Sequence, residues 1–194
     1  MKEEIKKMSE EQRIEAVAQR FGEIIELLGD DVEREGLVKT PMRAAKALWF
    51  LTSGYRSDAE ATLQSALFEH DGSKVVIVKD IEFYSLCEHH VLPFFGTVSI
   101  AYIPSGKIVG LSKLARAVDI CARKLQVQER FTAEIVREVE KALNAEGVLV
   151  ACTAQHMCMK MRGVEKQHSS TTTLDYAGRF AADASLRAEV LTRL

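Results

Sequence analysis

The stretch Gly96-Thr-Val-Ser-Ile-Ala-Tyr-Ile103 alternates well enough to predict a β-strand with one buried face. The β-branched run Val75 to Val78 precedes it and indicates another strand. Further outward, Pro104 to Gly106 is a turn signal, and the apolar pair Ile108-Val109 follows it. We therefore predict that the fold is built on a sheet that begins near Lys74.

Two helices are predicted before this sheet. Ser9 followed by Gln12 fits a capping box, and the helix that it opens is expected to end at Gly29. A second helix is expected to begin at Thr40-Pro41, with Thr40 as the cap and proline in the first turn. The chain thus begins with a helical pair.

Helices and a further strand are predicted after the first strands. Ser112 is expected to cap one helix, and a second helix carries Phe131 to Leu143. Val148 to Met161 has the pattern of a strand, and Ser185 to Leu194 that of a short last helix. Because helices and strands are grouped rather than alternating, we predict an α+β fold.

Charge and hydropathy exclude several classes of protein. Lys and Arg number 26 against 28 Asp and Glu, so the net charge of −2 provides no bulk positive field for nucleic acid. No apolar run approaches the ~20 residues of a membrane span, and the charged start lacks a secretory signal. We therefore expect a cytoplasmic protein without nucleic-acid or membrane partners, in which thiols serve metals or catalysis more often than disulfides.

Two short clusters carry the candidate chemistry, Cys87-Glu-His-His90 and His156-Met-Cys158. Two thiolates and one imidazole suit Zn²⁺, and three protein ligands leave the fourth position for water. In the predicted strand, His156 and Cys158 have the same parity and point to the same face. If Cys87, His90 and Cys158 bind the metal, His89 and His156 remain free for proton transfer.

The other two cysteines are expected in the core. Cys121 falls on the apolar face of a predicted helix, and Cys152 lies ~20 Å from Cys158 along an extended strand.

Candidate nucleotide-binding groups lie at two predicted helix starts. Gly110 to Lys113 can offer backbone N–H groups and a lysine to an anion, and Arg116 lies one turn further on. Arg162 is a third candidate cation, and the alternative for each of these residues is an ordinary solvated charge. Gln128-Glu129 can recognise a purine edge or simply begin the next helix. A Walker-type phosphate loop is absent from the sequence, which argues against a P-loop NTPase.

Six segments together resemble the type I GTP cyclohydrolase family, over about residues 10 to 190. They are Arg34-Glu-Gly-Leu37, Thr40-Pro-Met-Arg43, Leu86-Cys-Glu-His-His-Val-Leu-Pro93, Val109-Gly-Leu-Ser-Lys113, Leu125-Gln-Val-Gln-Glu-Arg130 and His156-Met-Cys-Met-Lys-Met-Arg-Gly-Val164. The chain departs from the family pattern at Thr153 and Gln155 and in the Ser/Thr-rich segment His168 to Asp175.

The resemblance implies a tunnelling fold, an antiparallel sheet with helices packed on one face, preceded by an N-terminal helical pair. The implied division is a helical region over residues 1–72 and a catalytic domain over residues 73–194. The implied reaction converts GTP and water to formate and 7,8-dihydroneopterin triphosphate, the first step of folate or pterin biosynthesis. The implied assembly is a homodecamer with its active sites at subunit interfaces.

The resemblance also implies a role for each matching residue. One zinc ion per subunit would be bound by Cys87, His90 and Cys158, and His89 and His156 would be catalytic. The residues implied to bind GTP are Lys113, Arg116, Arg162 and Arg43 at the triphosphate, Ser112 and Gln128 along the pocket, and Glu129 at the guanine edge.

Two alternatives compete with this interpretation. A different tunnelling-fold enzyme of pterin or deazapurine metabolism would favour a three-histidine zinc site or a lone nucleophilic cysteine. A structural zinc module would need a fourth ligand, for which His89 or His156 is the available candidate.

Overall fold

The computed structural model describes residues 3–72 and 74–194, and its contacts divide into two compact units. The first unit is Met1–Thr52 and the second is Ser53–Leu194. Met1, Lys2 and Ser73 lie outside the described residues. The domain boundary implied between residues 72 and 73 involves Ser73 and stays a prediction.

The first unit is helical, with α1 (Glu3–Lys7), α2 (Glu10–Leu27) and α3 (Thr40–Leu51). The predicted capping box is confirmed, since Gln12 N donates to Ser9 Oγ at 3.2 Å and Ser9 N donates to Gln12 Oε1 at 2.8 Å. Gly29 follows the end of α2 with a φ of +93°, which glycine adopts without strain. The predicted cap at Thr40 is wrong, because Thr40 already lies in the first turn of α3 and Lys39 is the N-cap.

The second unit contains every strand among the described residues. Its elements in chain order are a 3-10 helix (Ser53–Arg56), α4 (Ala59–Gln64), β1 (Leu67–Glu69), β2 (Val76–Cys87), β3 (Pro93–Ile103), β4 (Lys107–Val109), α5 (Leu111–Ala122), β5 (Leu125–Gln126), α6 (Gln128–Leu143), β6 (Gly147–His156), α7 (Met157–Lys160), β7 (Thr171–Gly178), α8 (Arg179–Ala182) and α9 (Ala184–Leu191). The main sheet has the order β5-β2-β3-β6-β7, and β1 pairs with β4 separately. All its pairs are antiparallel except β2 with β5.

The main core lies between one face of this sheet and the helices α5 and α6. Alternate residues of the central strands, such as Val98, Ile100 and Val150, are buried against Leu114 of α5 and Phe131 of α6. The predicted α+β fold, with helices packed on a mostly antiparallel sheet, is therefore confirmed.

The C-terminal helices add a smaller cluster that the sequence did not predict. Phe180 of α8 and Val190 of α9 pack with Ala101, Ile103 and Leu149. Along their strands, these three residues alternate with residues of the main core. Their side chains therefore point to the opposite face of the sheet. Part of that second face is thus covered by the end of the chain.

Three local predictions differ from the structure. The last predicted strand is too long, because β6 ends at His156 and Cys158 lies in the helical turn α7. The shared-parity argument for His156 and Cys158 is therefore wrong. Ser112 is not a cap, since Gly110 is the N-cap of α5 and makes no side-chain cap bond. The sequence analysis also missed β7, whose threonines are good strand formers.

Candidate metal centre and active site

The Cys87 to His90 segment begins the connection between β2 and β3. Cys87 is the last residue of β2, and the strands pair as far as Leu86 and Pro93. The turn is closed by Cys87 N donating to Leu92 O and by Val91 N donating to Cys87 O, both at 2.8 Å. These backbone bonds hold the cysteine and the two histidines that follow it in one tight turn.

Cys158 lies at the same end of the sheet as Cys87, because β3 lies between β2 and β6. Strand β3 pairs with β2 on one side and with β6 on the other, and Phe94 lies opposite His156. The end of β2 and the end of β6 are therefore neighbours, and α7 begins immediately after β6. The close approach of β3 to β6 requires Gly96, where an added Cβ would lie 1.9 Å from Thr153 O.

Cys87, His90 and Cys158 form a group of potential metal ligands. One ligand atom from each lies within 4.8 Å of the others. Cys87 Sγ lies 3.8 Å from Nδ1 of His90, close to the ~3.6 Å expected for sulfur and nitrogen that share a tetrahedral ion. Burial, with the neighbouring Cys87 sulfur, raises the pKa of the Cys158 thiol. These three side chains can hold a metal ion.

The remaining cysteines lie in the core, as expected. Cys121 and Cys152 are fully buried, and all four cysteines are free thiols. Burial raises the pKa of both core thiols, that of Cys152 to about 12. Neither thiol therefore ionises near neutral pH.

His89 lies beside the ligand group but outside it. Its Nδ1 atom is 3.8 Å from Cys87 Sγ, and its side chain is 63% exposed. Glu88 lies 3.8 Å from His89 Nε2 and also bonds to Arg130, whose guanidinium lowers the pKa of the Glu88 carboxyl. His89 is therefore open to solvent next to a carboxylate that stays charged.

His156 is held more tightly than His89. Its ring stacks on Phe94 with 4.8 Å between centroids and 2° between planes. Nε2 lies 2.9 Å from Gln128 Oε1. Burial lowers the pKa of His156, and the Glu129 carboxylate opposes this shift. Because the net shift is downward, the ring is mainly neutral at pH 7.

The implied nucleotide-binding residues lie in several places. Lys113 and Arg116 line a cavity of about 620 Å³ beside the 3-10 helix and α4. Ser112 and Glu129 are exposed in the first turns of α5 and α6, whereas Gln128 is 2% exposed. Their roles toward a substrate stay predictions.

The two remaining cations differ in their surroundings. Arg162 is exposed just after α7, and its Nη1 lies 3.5 Å from Nε2 of His90. Arg43 is exposed on α3 of the first unit. Their contacts with a triphosphate likewise stay predictions.

The sequence analysis missed two residues that shape the site. Phe94 supports His156, and its position directly after the Leu86 to Pro93 motif was the available signal. Arg130 donates to Gln126 Oε1 at 3.0 Å and to Glu88, which ties the start of α6 to the turn after β2. No local pattern predicts that long-range pair.

A sheet edge that brings together two thiols and an imidazole, with two further histidines beside them, defines an α+β protein with a candidate catalytic metal centre. The family model for GTP cyclohydrolase I matches residues 17–194. The chain therefore belongs to the GTP cyclohydrolase I family, and the resemblance inferred from its motifs is confirmed.

Curated relatives support the same assignment. The GTP cyclohydrolase 1 of Parabacteroides distasonis is 59% identical over 167 residues, which cover 86% of this chain and 85% of the relative. That of Porphyromonas gingivalis is 53% identical over 184 residues, or 95% of each chain. Among solved structures, the apo archaeosine synthase QueF-Like aligns over 56% of this chain and 97% of its own, with 19% identity and a TM-score of 0.45. At this distance the likeness bears on neither fold nor function.

Proposed function

We propose that this chain is a zinc-dependent GTP cyclohydrolase I, which opens the guanine ring of GTP by hydrolysis. The products are formate and 7,8-dihydroneopterin triphosphate, as the first step of folate or pterin biosynthesis. The observation that carries the chemistry is the group of Cys87, His90 and Cys158 within 4.8 Å, with His89 and His156 beside it. Family membership supports the substrate and the reaction.

Zinc is the metal that this donor set favours, with one ion per subunit. Thiolate and imidazole ligands select zinc over magnesium or calcium, which prefer oxygen ligands. When bound with an open fourth position, zinc lowers the pKa of a water molecule to ~7 and so makes it nucleophilic at neutral pH.

The two histidines are proposed to move protons between the guanine ring and water. C8 of guanine is a weak electrophile until a ring nitrogen is protonated, and expelling that nitrogen requires a proton as well. His156, neutral near pH 7, can accept a proton and return it. His89 is largely exposed, which suits proton exchange with solvent.

The triphosphate is proposed to bind at the cavity lined by Lys113 and Arg116, with Arg162 and Arg43 as further cations. The support is the pair of cations one helical turn apart at the start of α5, where backbone N–H groups also favour anions. Binding energy at the triphosphate would orient the distant guanine ring.

The guanine edge is proposed to pair with the carboxylate of Glu129, which accepts hydrogen bonds from N–H groups that adenine lacks. Ser112 and Gln128 were implied to line the same pocket. The support for Glu129 is its exposed position at the start of α6, close enough to His156 to influence that ring.

The functional form is proposed to be a homodecamer with its sites at subunit interfaces. Among the described residues, β7 has no strand beyond it, and β5 covers only Leu86 and Cys87 of β2. Two such open edges can pair with neighbouring subunits and close into a ring. Leu174 and Tyr176 on β7 are exposed apolar side chains, 50% and 40%, that such an assembly could cover.

A cytoplasmic location is proposed because all four cysteines are free thiols, and free thiols are typical of a reducing compartment. Among the described residues, no helix is long and apolar enough to cross a membrane.

The direct test is to incubate the zinc-loaded protein with GTP and measure both formate and the fluorescent pterin formed by oxidation. Both should appear in equal amounts. ATP should give neither product, and a metal-free Cys158→Ser variant serves as the matched control. A protein with stoichiometric zinc that converts no GTP would refute the proposal.

A further inference from the structure

The side chain of Gln128 is enclosed by fixed hydrogen-bond partners. Its Nε2 atom lies 3.0 Å from both Cys152 O and Thr171 O, and 3.2 Å from Thr173 Oγ1. Its Oε1 atom lies 2.9 Å from Nε2 of His156. These four contacts come from β6 and β7, so the amide joins α6 to the sheet.

The partners determine which way the amide points. Backbone carbonyls accept hydrogen bonds and cannot donate, so the NH₂ group of Gln128 must face Cys152 and Thr171. A flipped amide would place its oxygen against two carbonyl oxygens with no hydrogen between them, which is costly for a buried group. The oxygen of Gln128 is therefore the atom that faces His156.

The hydroxyl network around the amide agrees with this orientation. Thr132 Oγ1 donates to the backbone oxygen of Gln128 at 2.8 Å. The Thr132 hydroxyl has only one hydrogen, and this bond takes it. In the 2.6 Å contact between the hydroxyls of Thr132 and Thr173, Thr173 is therefore the donor. Thr173 is left to accept from the Gln128 amide. The hydrogens of both threonine hydroxyls thus have defined acceptors.

The amide orientation also determines the tautomer of His156. An amide oxygen only accepts, so Nε2 of His156 must carry the hydrogen in the 2.9 Å bond. In a neutral imidazole, the other nitrogen then has the lone pair. Stacking on the fully buried Phe94 holds the plane of the ring.

We propose that Gln128 is a positioning residue that acts through His156 by holding the Nε2–H tautomer and so presenting Nδ1 as the nitrogen that exchanges protons. This inference rests on the proposed function and assigns Gln128 a role other than lining the GTP pocket. A side chain that is 2% exposed, with an amide nitrogen that already has three acceptors for its two hydrogens, has little left to offer a ligand.

The test compares Gln128→Met with Thr132→Val in the zinc-loaded protein. Methionine has nearly the same shape as glutamine but does not hold the hydrogen bond to His156. Thr132→Val removes a buried hydroxyl of the same network and leaves both carbonyl partners of the amide in place. Each variant is measured for kcat and KM with GTP, zinc content and oligomer mass.

A second measurement reports the tautomer without any turnover. Protein labelled with ¹⁵N-histidine gives two ring nitrogen signals for His156, assigned by their loss in His156→Gln. Magic-angle-spinning spectra at alkaline pH show which nitrogen is protonated in the neutral ring. This readout stands even if GTP proves not to be the substrate, so the two proposals can fail separately.

Gln128→Met should lower kcat by at least about tenfold and by no more than the ~10²–10⁴ that a proton-transfer group supplies, while KM and zinc content change little. It should also give His156 a mixture of tautomers. Thr132→Val should keep kcat within about twofold and keep the Nε2–H form, since the His156 contact is intact. A rise in KM at constant kcat for Gln128→Met would overturn the inference. Spectra of the wild-type protein that place the hydrogen of neutral His156 on Nδ1 would also overturn the inference.

Discussion

Phe94 and His156 are partners in register on adjacent strands, and their rings stack almost in parallel, 4.8 Å apart. Phe94 is fully buried and also packs against Phe83 at 5.8 Å. One side of the candidate catalytic imidazole therefore rests on the hydrophobic core, which has few ways to move. Core packing and active-site geometry are linked through this single contact.

Replacing Phe94 with leucine should impair both stability and turnover. The variant loses the stacked ring, so we expect a destabilisation of roughly 1–3 kcal/mol and, in addition, a clear fall in kcat. Phe83→Leu is the matched control, because it weakens the same cluster without touching His156. Urea unfolding and steady-state kinetics are compared for both. Equal kcat values in the two variants would show that the stacking contact has no catalytic effect.

Substitutions of the proposed metal ligands and of the core cysteines should have different effects on bound zinc. Cys87→Ser, His90→Ala and Cys158→Ser should each lose bound zinc and activity together, because a site with three protein ligands cannot spare one. Cys121→Ala and Cys152→Ala should retain stoichiometric zinc despite some loss of stability. Elemental analysis of the purified oligomers checks this. Stoichiometric zinc in Cys158→Ser would contradict the ligand assignment.

Thiol reactivity should depend on metal and pH. After chelation, Cys158 should react with iodoacetamide, and faster at pH 9 than at pH 7, because its raised pKa leaves it protonated at neutral pH. For the same reason, zinc affinity should fall as pH drops, since binding must displace the proton. Cys121 and Cys152 should stay unlabelled in the folded protein. Peptide mass mapping with and without zinc measures the labelling of all four cysteines. Rapid labelling of Cys158 in the zinc-bound protein would refute its assignment as a zinc ligand.

Substitutions of His89 and His156 should lower turnover without removing the metal. His89→Ala and His156→Ala should each retain zinc and the oligomer while kcat falls by ~10²–10⁴, the usual effect of losing a general acid or base. A variant blocked after hydration of C8 should accumulate a formylated intermediate. Rapid-quench product analysis beside metal analysis distinguishes the steps, and zinc loss from either variant would mean that it is a ligand.

Glu129 should matter for GTP far more than for folding. As an exposed acidic residue in the first helical turn, it contributes only about 0.3–1 kcal/mol to stability through the helix dipole. Glu129→Gln should strongly weaken GTP binding, because a charge-assisted pair with the guanine edge is lost. Glu138→Gln, further along the same helix, is the control. Calorimetric titration with GTP measures the affinity of each protein. Equal affinities of Glu129→Gln and the wild type would exclude the role of Glu129 in guanine binding.

Several features were predictable because their causes are local. The Ser9 capping box and the end of α2 near Gly29 depend on neighbours within one turn. The spacing of Cys87 and His90 likewise allows both to meet one ion from a single tight turn. Cys158 was named as the third candidate ligand from its residue type and its predicted strand, and the structure brings it within 4.8 Å of the other two although the strand assignment was wrong.

Other features depend on contacts that no local pattern contains. The sequence alone determined which residue types are available, that α2 begins after the Ser9 cap and ends near Gly29, and that Cys87 and His90 lie three residues apart. Only the tertiary structure decided that β3 lies between β2 and β6, which brings Cys158 to that turn. It also decided that the Gln128 amide faces the carbonyls of Cys152 and Thr171 rather than a pocket. Strand order and side-chain burial arise from packing the whole apolar surface at once, so they are properties of the folded chain and not of any short segment.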